Sequence, residues 1–451
     1  MLSAPTIEVT PGELPLFWNR RAIFFANLRA LFFGNEGETN ELVAVIDGID
    51  SYGGRLVPVV DLLFRNGGNL LVLEREPIEA LTQYFADVLD LSLPEVVVLS
   101  PEDHAALAAG GRPAGGASQS IFEHPAEWID GFVTDTSLAE IGRRLDRPTV
   151  SSLHGSSRGN NKLLLHQHLA ARGLTVFDTE TASEPGDVPA CLSRLRRMGY
   201  ATAVIKAQIG ASGIGMIKVG TADAERVEPA QHLFFAGPAM VQGWLDNTVD
   251  NVRVIGSPSV QVFVSEDTVH LYDLTEQILS ASSIHEGNMA PPPYISALAP
   301  IRATLFEHAG EAAIWLHAQG YRGTASVDFL IVRRGGADEI RVCEINARVT
   351  GATYPAILAR HYNPGGAWLM RNIRLGEPIR PDALLDALRR HGDLFEPEMP
   401  SGVLPINLNL DVEANVAKGQ FLGLGATTQQ CENALTGLSA ALAVAVEFDR
   451  D

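Results

Sequence analysis

Cysteine is scarce in this chain. Three occur in 451 residues, Cys191, Cys343 and Cys431. So sparse and odd a set makes neither a disulfide framework nor a metal motif. It reads as three small buried residues in a reducing compartment, the cytoplasm. Long apolar runs are also missing. The most apolar N-terminal stretch, "AIFFANLRALFFG", is broken by Arg29 and preceded by Arg20 and Arg21. It has neither the length of a membrane helix nor the order of a signal peptide. Basic charge is short as well: 34 Lys and Arg face 54 Asp and Glu, a formal net charge of −20. A protein that grips nucleic acid needs a basic surface, so that class is disfavoured, and the acidity serves solubility. No internal repeat, no convincing Ser-His-Asp or Cys-His set and no biotinyl-lysine "MKM" tripeptide occurs.

What is present is an ordinary globular composition, 46% hydrophobic and 20% charged, long enough for about two to four structural units. Residues 1–150 alternate short apolar runs ("LVAVIDGI", "NLLVLE", "EVVVLS", "GFVTD") with helix-like pieces such as "PIEALTQYFADVLDL". That pattern predicts an α/β unit with a parallel sheet. "AAGGRPAGGASQS" at 108–120 predicts a surface loop, and "SSLHGSSRGNNK" at 151–162 a polar linker. "KLLLHQHLAARGL" predicts a helix stopped by Gly173. "YATAVIKAQ", "GMIKVG" and "AMVQGWL" read as strands, and "SVQVFVSEDTVHLYDLTEQIL" as a hairpin turning at Glu266 and Asp267. A helix over 300–318 follows, then "TASVDFLIV" and "EIRVCEIN" joined by "RRGGADE". The tail offers a strand, "GVLPINLNL", and a helix-like "TQQCENALTGLSAALAVAV".

Two segments carry chemistry. In "VIKAQIGASGIGMIKVG" (204–220) four glycines interrupt a β-like run. A P-loop and a dinucleotide fingerprint both need a helix after their glycines. Here Met216-Ile217-Lys218-Val219 opens a strand instead. Strand, glycine loop, strand makes a flap whose amides can face phosphate oxygens, with Lys206 at its root. Taken alone, the segment equally fits a surface hairpin with a solvated lysine. The second segment, "DFLIVRRGGADEIRVCEINARVTG", puts Asp328 on one strand and Glu344 and Asn346 on one face of the next. Two carboxylates and an amide oxygen suit Mg²⁺, a hard cation that bridges phosphates. Arg348 adds a fixed cationic fork.

"VIKAQIGASGIGMIKV", "MVQGWL" and "VDFLIV…VCEINARVTGATYP", in this order and spacing, resemble the ATP-grasp superfamily over about residues 155–375. Residues 1–150 resemble the pre-ATP-grasp domain of a smaller branch that includes peptide ligases of antibiotic biosynthesis. The resemblance implies an α/β (α+β) chain: a parallel-sheet pre-ATP-grasp domain (1–150), a small subdomain bearing the glycine flap (151–240), a large subdomain with the metal site (241–375), and a C-terminal strand and helix packed on this core (376–451). It implies ATP and Mg²⁺ as cofactors. Lys162 and Lys206 would reach the phosphates, with Gly210, Ser212, Gly213 and Gly215 closing over them. Gln242, in place of the usual glutamate, and the backbone of Gly243, Trp244 and Leu245 would read adenine. Asp250, with Asn247 as rival, would hold the ribose.

Asp328, Glu344 and Asn346 match the metal ligands, and Arg348 matches the arginine beside the transferred phosphoryl group, making it and Lys206 the catalytic cations. Ala347 departs from the proline or threonine of many relatives. Substrate contacts would come from Ser156, Ser157, Arg158, Arg253, Gln277, His285 and Asn288. The implied activity is carboxylate–amine ligation through an acyl phosphate, joining a modified amino acid to the N-terminus of a peptide. The implied partners are a small carboxylate and an amine or peptide, in a homo-oligomer or a monomer. A carboxylase that activates bicarbonate and a non-catalytic nucleotide-binding module are the competing expectations.

Overall fold

A computed structural model describes residues 4–31, 53–111, 116–210, 216–280 and 285–448. Its strands form three sheets. β1 (Thr6–Val9) adds in parallel to the largest sheet. β2 (Ala22–Phe25), β3 (Leu70–Leu73), β4 (Glu95–Val98) and β5 (Trp128–Gly131) form an all-parallel sheet in the order β4-β3-β2-β5. The apolar run weighed above against a signal peptide therefore holds a central strand. Its four residues are buried on both faces, as the middle of a parallel sheet requires. The expected strand "GFVTD" lies earlier, over Trp128–Gly131. "LVAVIDGI" lies outside the described residues.

β6 (Thr179–Ala182), β7 (Thr202–Lys206), β8 (Met216–Gly220) and β9 (Ala239–Gly243) form an antiparallel sheet in the order β6-β9-β7-β8. The amphipathic helix Val188–Arg197 packs on it through Cys191, Leu192 and Leu195.

The remaining strands belong to the large sheet, with eleven strands among the described residues. They are β10 (Val252–Gly256), β11 (Pro258–Val264), β12 (Thr268–Leu279), β13 (His285–Ala290), β14 (Gly323–Arg334), β15 (Ala337–Asn346), β16 (Ala367–Ile379), β17 (Gly402–Leu410), β18 (Val416–Gly425) and β19 (Val446–Phe448). The path runs β10-β14-β11-β12-β13-β16-β18-β17, with β15 on β14 and β19 on β16. The helix Ala299–Ala318 covers one face through Leu305, Ala309, Ala312 and Leu316. The hairpins at Glu266 and at Gly335-Gly336 fall where the turn residues put them, both glycines having positive φ.

The linker expectation for 151–162 is corrected. Leu153–Gly159 is a helix, capped by Ser152, whose Oγ accepts the Gly155 N–H at 2.9 Å. Serine and glycine are poor helix formers, and long-range packing overrides them. A Cβ on Gly155 would sit 2.5 Å from the Gly320 carbonyl carbon, and one on Gly159 would sit 2.7 Å from the Ala347 Cβ. Gly155 lets this helix lie directly against the backbone of Gly320 and Tyr321, and Gly159 lets it close on the Leu316 and Ala347 side chains. The glycine-rich patch is likewise partly helical, over Pro101–Ala109 and Gly116–Glu123. The last helix stops at Leu442, short of the expected run. Among the described residues no helix is long and apolar enough to cross a membrane, and the three cysteines are free.

Candidate active site

The β14–β15 hairpin builds the centre. Its register sets Asp328 opposite Glu344 and Ser326 opposite Asn346. Directly opposed residues share a face, so these side chains converge. Asp328 Oδ1 accepts from Ser259 Oγ at 2.7 Å, and its Oδ2 from Asn346 Nδ2 at 2.9 Å. With its amide nitrogen so engaged, Asn346 is left with a buried Oδ1 that has no partner among the described residues. An orphaned carbonyl oxygen beside two carboxylates is the donor set a hard divalent cation takes. Burial and then the neighbouring Glu344 push the Asp328 carboxyl up. Burial would also raise Glu344, but Lys162, Arg348 and Lys206 outweigh it and hold Glu344 below the usual carboxylate range.

Three cations reach this pair from three different elements. Lys162 opens the helix Lys162–Ala171, whose N-cap Asn161 accepts the Leu164 N–H at 3.0 Å. Its Nζ lies 3.0 Å from Glu344 Oε2 and donates to Gly210 O at 2.9 Å. Lys206 ends β7 and donates to Gln242 Oε1 at 2.9 Å. Burial lowers its pKa, Glu344 opposes this, and Lys162 adds to it. Arg348 follows β15 and donates to Asn160 Oδ1 at 2.7 Å. Three cations against two carboxylates leave a positive surplus inside an acidic protein. Such a crevice takes an anion.

Asn160 is a residue that sequence reasoning missed. Its Oδ1 also accepts the Ala347 N–H, and its Nδ2 donates to Ser156 O and Ala347 O. It thus aims the Arg348 side chain and fixes the backbone just before it. Ala347 is fully buried, and a Cβ on Gly159 would come within 2.7 Å of the Ala347 Cβ.

Next to the cations lies a crevice walled by Leu165, Val176, Met240 and Val342, with Lys162, His166, Gln242 and Cys343 at its polar side. His166, also missed, stands one helical turn after Lys162. Burial, and then the Lys206 charge, lower the pKa of its imidazole. Gln242 donates its Nε2 to Thr179 Oγ1 at 2.8 Å, so its carbonyl is turned toward Lys206. Of the three residues expected to present backbone to adenine, two have engaged amides. Gly243 N–H bonds Asp178 O and Trp244 N–H bonds Thr202 O. Leu245 N–H has no acceptor among the described residues. The Trp244 ring is covered by Lys218 Nζ at 4.5 Å, and Asp246 bonds both. Asp250 is exposed on the following turn, and Asn247 Oδ1 caps the Val254 N–H. Ser212, Gly213 and Gly215 lie outside the described residues.

The other substrate candidates divide. Gln277 sits opposite Asn288 and on the face of Thr275, Ser259 and Asp328. Asn288 Nδ2 meets His285 Nε2 at 2.7 Å, and the His285 ring packs against Gly351, just past Arg348. These three line one side of the centre. Ser156 is buried, its Oγ without a partner among the described residues, one turn before Asn160. Ser157 is exposed, and Arg158 is turned away to Gln319 Oε1 at 2.6 Å. Arg253 is exposed and pairs with Arg333, which alternation puts on the opposite face from Asp328. Arg158 and Arg253 are therefore not brought into the centre.

A four-stranded antiparallel sheet, a carboxylate hairpin on a large sheet and a parallel N-terminal sheet make up the ATP-grasp fold, and this chain has it. The synthetase of N5-carboxyaminoimidazole ribonucleotide from Thermus thermophilus aligns with a TM-score of 0.55 at 16% identity, over 86% of this chain and 95% of its own. Biotin carboxylase from Campylobacter jejuni aligns with a TM-score of 0.60 at 14% identity, over 96% and 93%. In sequence the chain is 26% identical over 231 residues to the [butirosin acyl-carrier protein]–L-glutamate ligase of Niallia circulans. That match covers 49% of this chain, and the chain spans about half of the relative's length, 51%. No family model matches.

Proposed function

We propose that this chain is an ATP-dependent carboxylate–amine ligase that forms an amide through an acyl phosphate. The observation that carries the reading is the convergence of Lys162, Lys206 and Arg348 on Asp328, Glu344 and the unpartnered Asn346 Oδ1. A carboxylate resists nucleophiles because of its charge. Transfer of the γ-phosphoryl group removes that charge and installs a leaving group, so the amine can attack and release phosphate. Asp328, Glu344 and Asn346 would hold Mg²⁺, which would supply neutralisation of phosphate charge.

The chain's own residues do the rest. Lys162 and Lys206 bind the phosphates, and Gly210, whose carbonyl accepts from Lys162, brings the glycine-rich segment beside them. Arg348, aimed by Asn160, steadies the charge on the phosphoryl group in transfer. Adenine lies in the crevice beside Gln242 and His166, read by the Leu245 N–H, with Asp250 nearest the ribose. Ser156, Gln277, His285 and Asn288 face the acid.

The division at residues 150, 240 and 375 follows these roles. The relative's name points to an amino acid as the acid and a carrier protein as acceptor. The motif layout points to a modified amino acid joined to the N-terminus of a peptide, in peptide natural-product biosynthesis in the cytoplasm. The test is ADP release from a matrix of amino acids crossed with short peptides and carrier proteins. Release should need both partners, and Glu344→Ala should abolish it. Turnover retained in that variant would refute the metal assignment.

A further inference from the structure

One carboxylate beside the centre has no part in the chemistry above. Asp130 lies on β5, one residue before the strand ends at Gly131. Open parallel sheets present ligands at the carboxyl ends of their strands, where the following loops leave a crevice. Here that end abuts the centre. The Val349 N–H donates to Phe132 O at 3.0 Å, tying the loop after β5 to the residue after Arg348. The Val150 N–H donates to Ile129 O at 2.9 Å, so the lead-in to the helix Leu153–Gly159 runs alongside. The Tyr321 phenol feels both charges. Burial raises its phenol furthest, then the Asp130 charge, while Arg348 opposes both.

Among the described residues Asp130 has no countercharge. Burial raises its carboxyl to about 7, and only the Gly131 N–H works against this. Yet the residue is partly open to solvent, so a ligand can reach it. A desolvated carboxylate without a partner costs stability, and a cationic ligand repays it. Asp130 and Arg348 both act on the Tyr321 phenol, so a cation-seeking and an anion-seeking group stand near the same ring.

We propose that Asp130 recognises a cationic nitrogen on the acid substrate, so that the acid is an amino acid or another zwitterion lying between Asp130 and Arg348. The proposal rests on the ligase reading. The attacking amine is the poorer occupant: it must present a neutral lone pair, and a carboxylate that holds it as an ammonium would hold back the attack. A cationic group on the acid is under no such constraint.

Hydroxylamine tests this without knowledge of the acceptor. It captures an acyl phosphate as a hydroxamate, its nitrogen taking the acyl group and phosphate leaving. The enzyme with ATP, Mg²⁺ and hydroxylamine is offered the common amino acids and guanidino acids, each beside its N-acetyl or desamino counterpart. Wild type should favour the cationic member by about tenfold or more in kcat/KM. Asp130→Asn should erase that preference through KM for the acid, leaving KM for ATP where it was, and Asp130→Glu should restore part of it. Equal use of charged and uncharged acids by wild type, or an unchanged preference in Asp130→Asn, overturns the assignment of Asp130 alone. The wild-type comparison holds whether or not the variants fold. No hydroxamate from any acid overturns the ligase reading, and this proposal with it.

Discussion

Asn160 offers the sharpest test of how the centre is built. Its side chain makes four hydrogen bonds, to Ser156 O, Ala347 O, Ala347 N and Arg348 Nη1. Three are neutral, at about 1 kcal/mol each, and the one to the guanidinium adds about 1.5–3 kcal/mol. Asn160→Ala should therefore lose about 3–5 kcal/mol of stability, allowing for water reaching some of the freed groups. Freed of its anchor, the Arg348 fork would move, and a displacement of about 1 Å costs on the order of 100-fold in rate.

A merely structural Asn160 would give the same loss of stability, so the contrast lies in Asn160→Asp. That variant keeps the oxygen that holds Arg348 but loses both donated bonds, about 2–3 kcal/mol. Urea unfolding and acid-dependent ADP release, measured well below the melting transition, separate the two effects. Both variants should be less stable, but only Asn160→Ala should lose kcat, with KM for ATP little changed. If Asn160→Asp is as slow as Asn160→Ala, or Asn160→Ala keeps full kcat, the positioning argument is wrong.

Other substitutions give distinct outcomes. Gly159→Ala drives a Cβ within 2.7 Å of the Ala347 Cβ and should cost about 1–3 kcal/mol and slow turnover, read by thermal melting and ADP release. Arg360→Ala strands Asp273, which it binds through two bonds of 2.9 and 2.8 Å in the core, and should cost about 3–5 kcal/mol in urea while sparing kcat per folded molecule. Burial raises Glu276 from an ordinary 4.5 to about 7, so the folded state holds a proton that the unfolded chain releases, and stability should fall as pH rises through that window. Glu276→Gln should flatten that fall in urea midpoints taken at pH 5 and 8; an unchanged slope would assign it to other groups.

Much of the centre could be read from local pattern. The β14–β15 hairpin alternates polar and apolar residues about a tight Gly335-Gly336 turn, so the face shared by Asp328, Glu344 and Asn346 follows from strand periodicity. The flap strands were legible because apolar residues bound the glycines on both sides. What stayed hidden depends on contacts between distant segments. The helix Leu153–Gly159 exists because two glycines meet backbone and side chains more than 150 residues away, and nothing in "HGSSRG" announces that. Asn160 gains its role only from that packing. The side of the sheet taken by Arg253 depends on a register shift between Val254 and Gly256. The amides of Gly243 and Trp244 are consumed by Asp178 and Thr202, segments whose pairing no local motif encodes.

The central claim is that a carboxylate is activated by phosphoryl transfer at this centre. Its most direct test supplies the acid with ¹⁸O in its carboxylate, together with ATP, Mg²⁺ and an amine, and weighs the released phosphate. An acyl phosphate predicts ADP and a phosphate bearing one ¹⁸O atom from the acid. Unlabelled phosphate, or AMP and pyrophosphate in place of ADP, would contradict it.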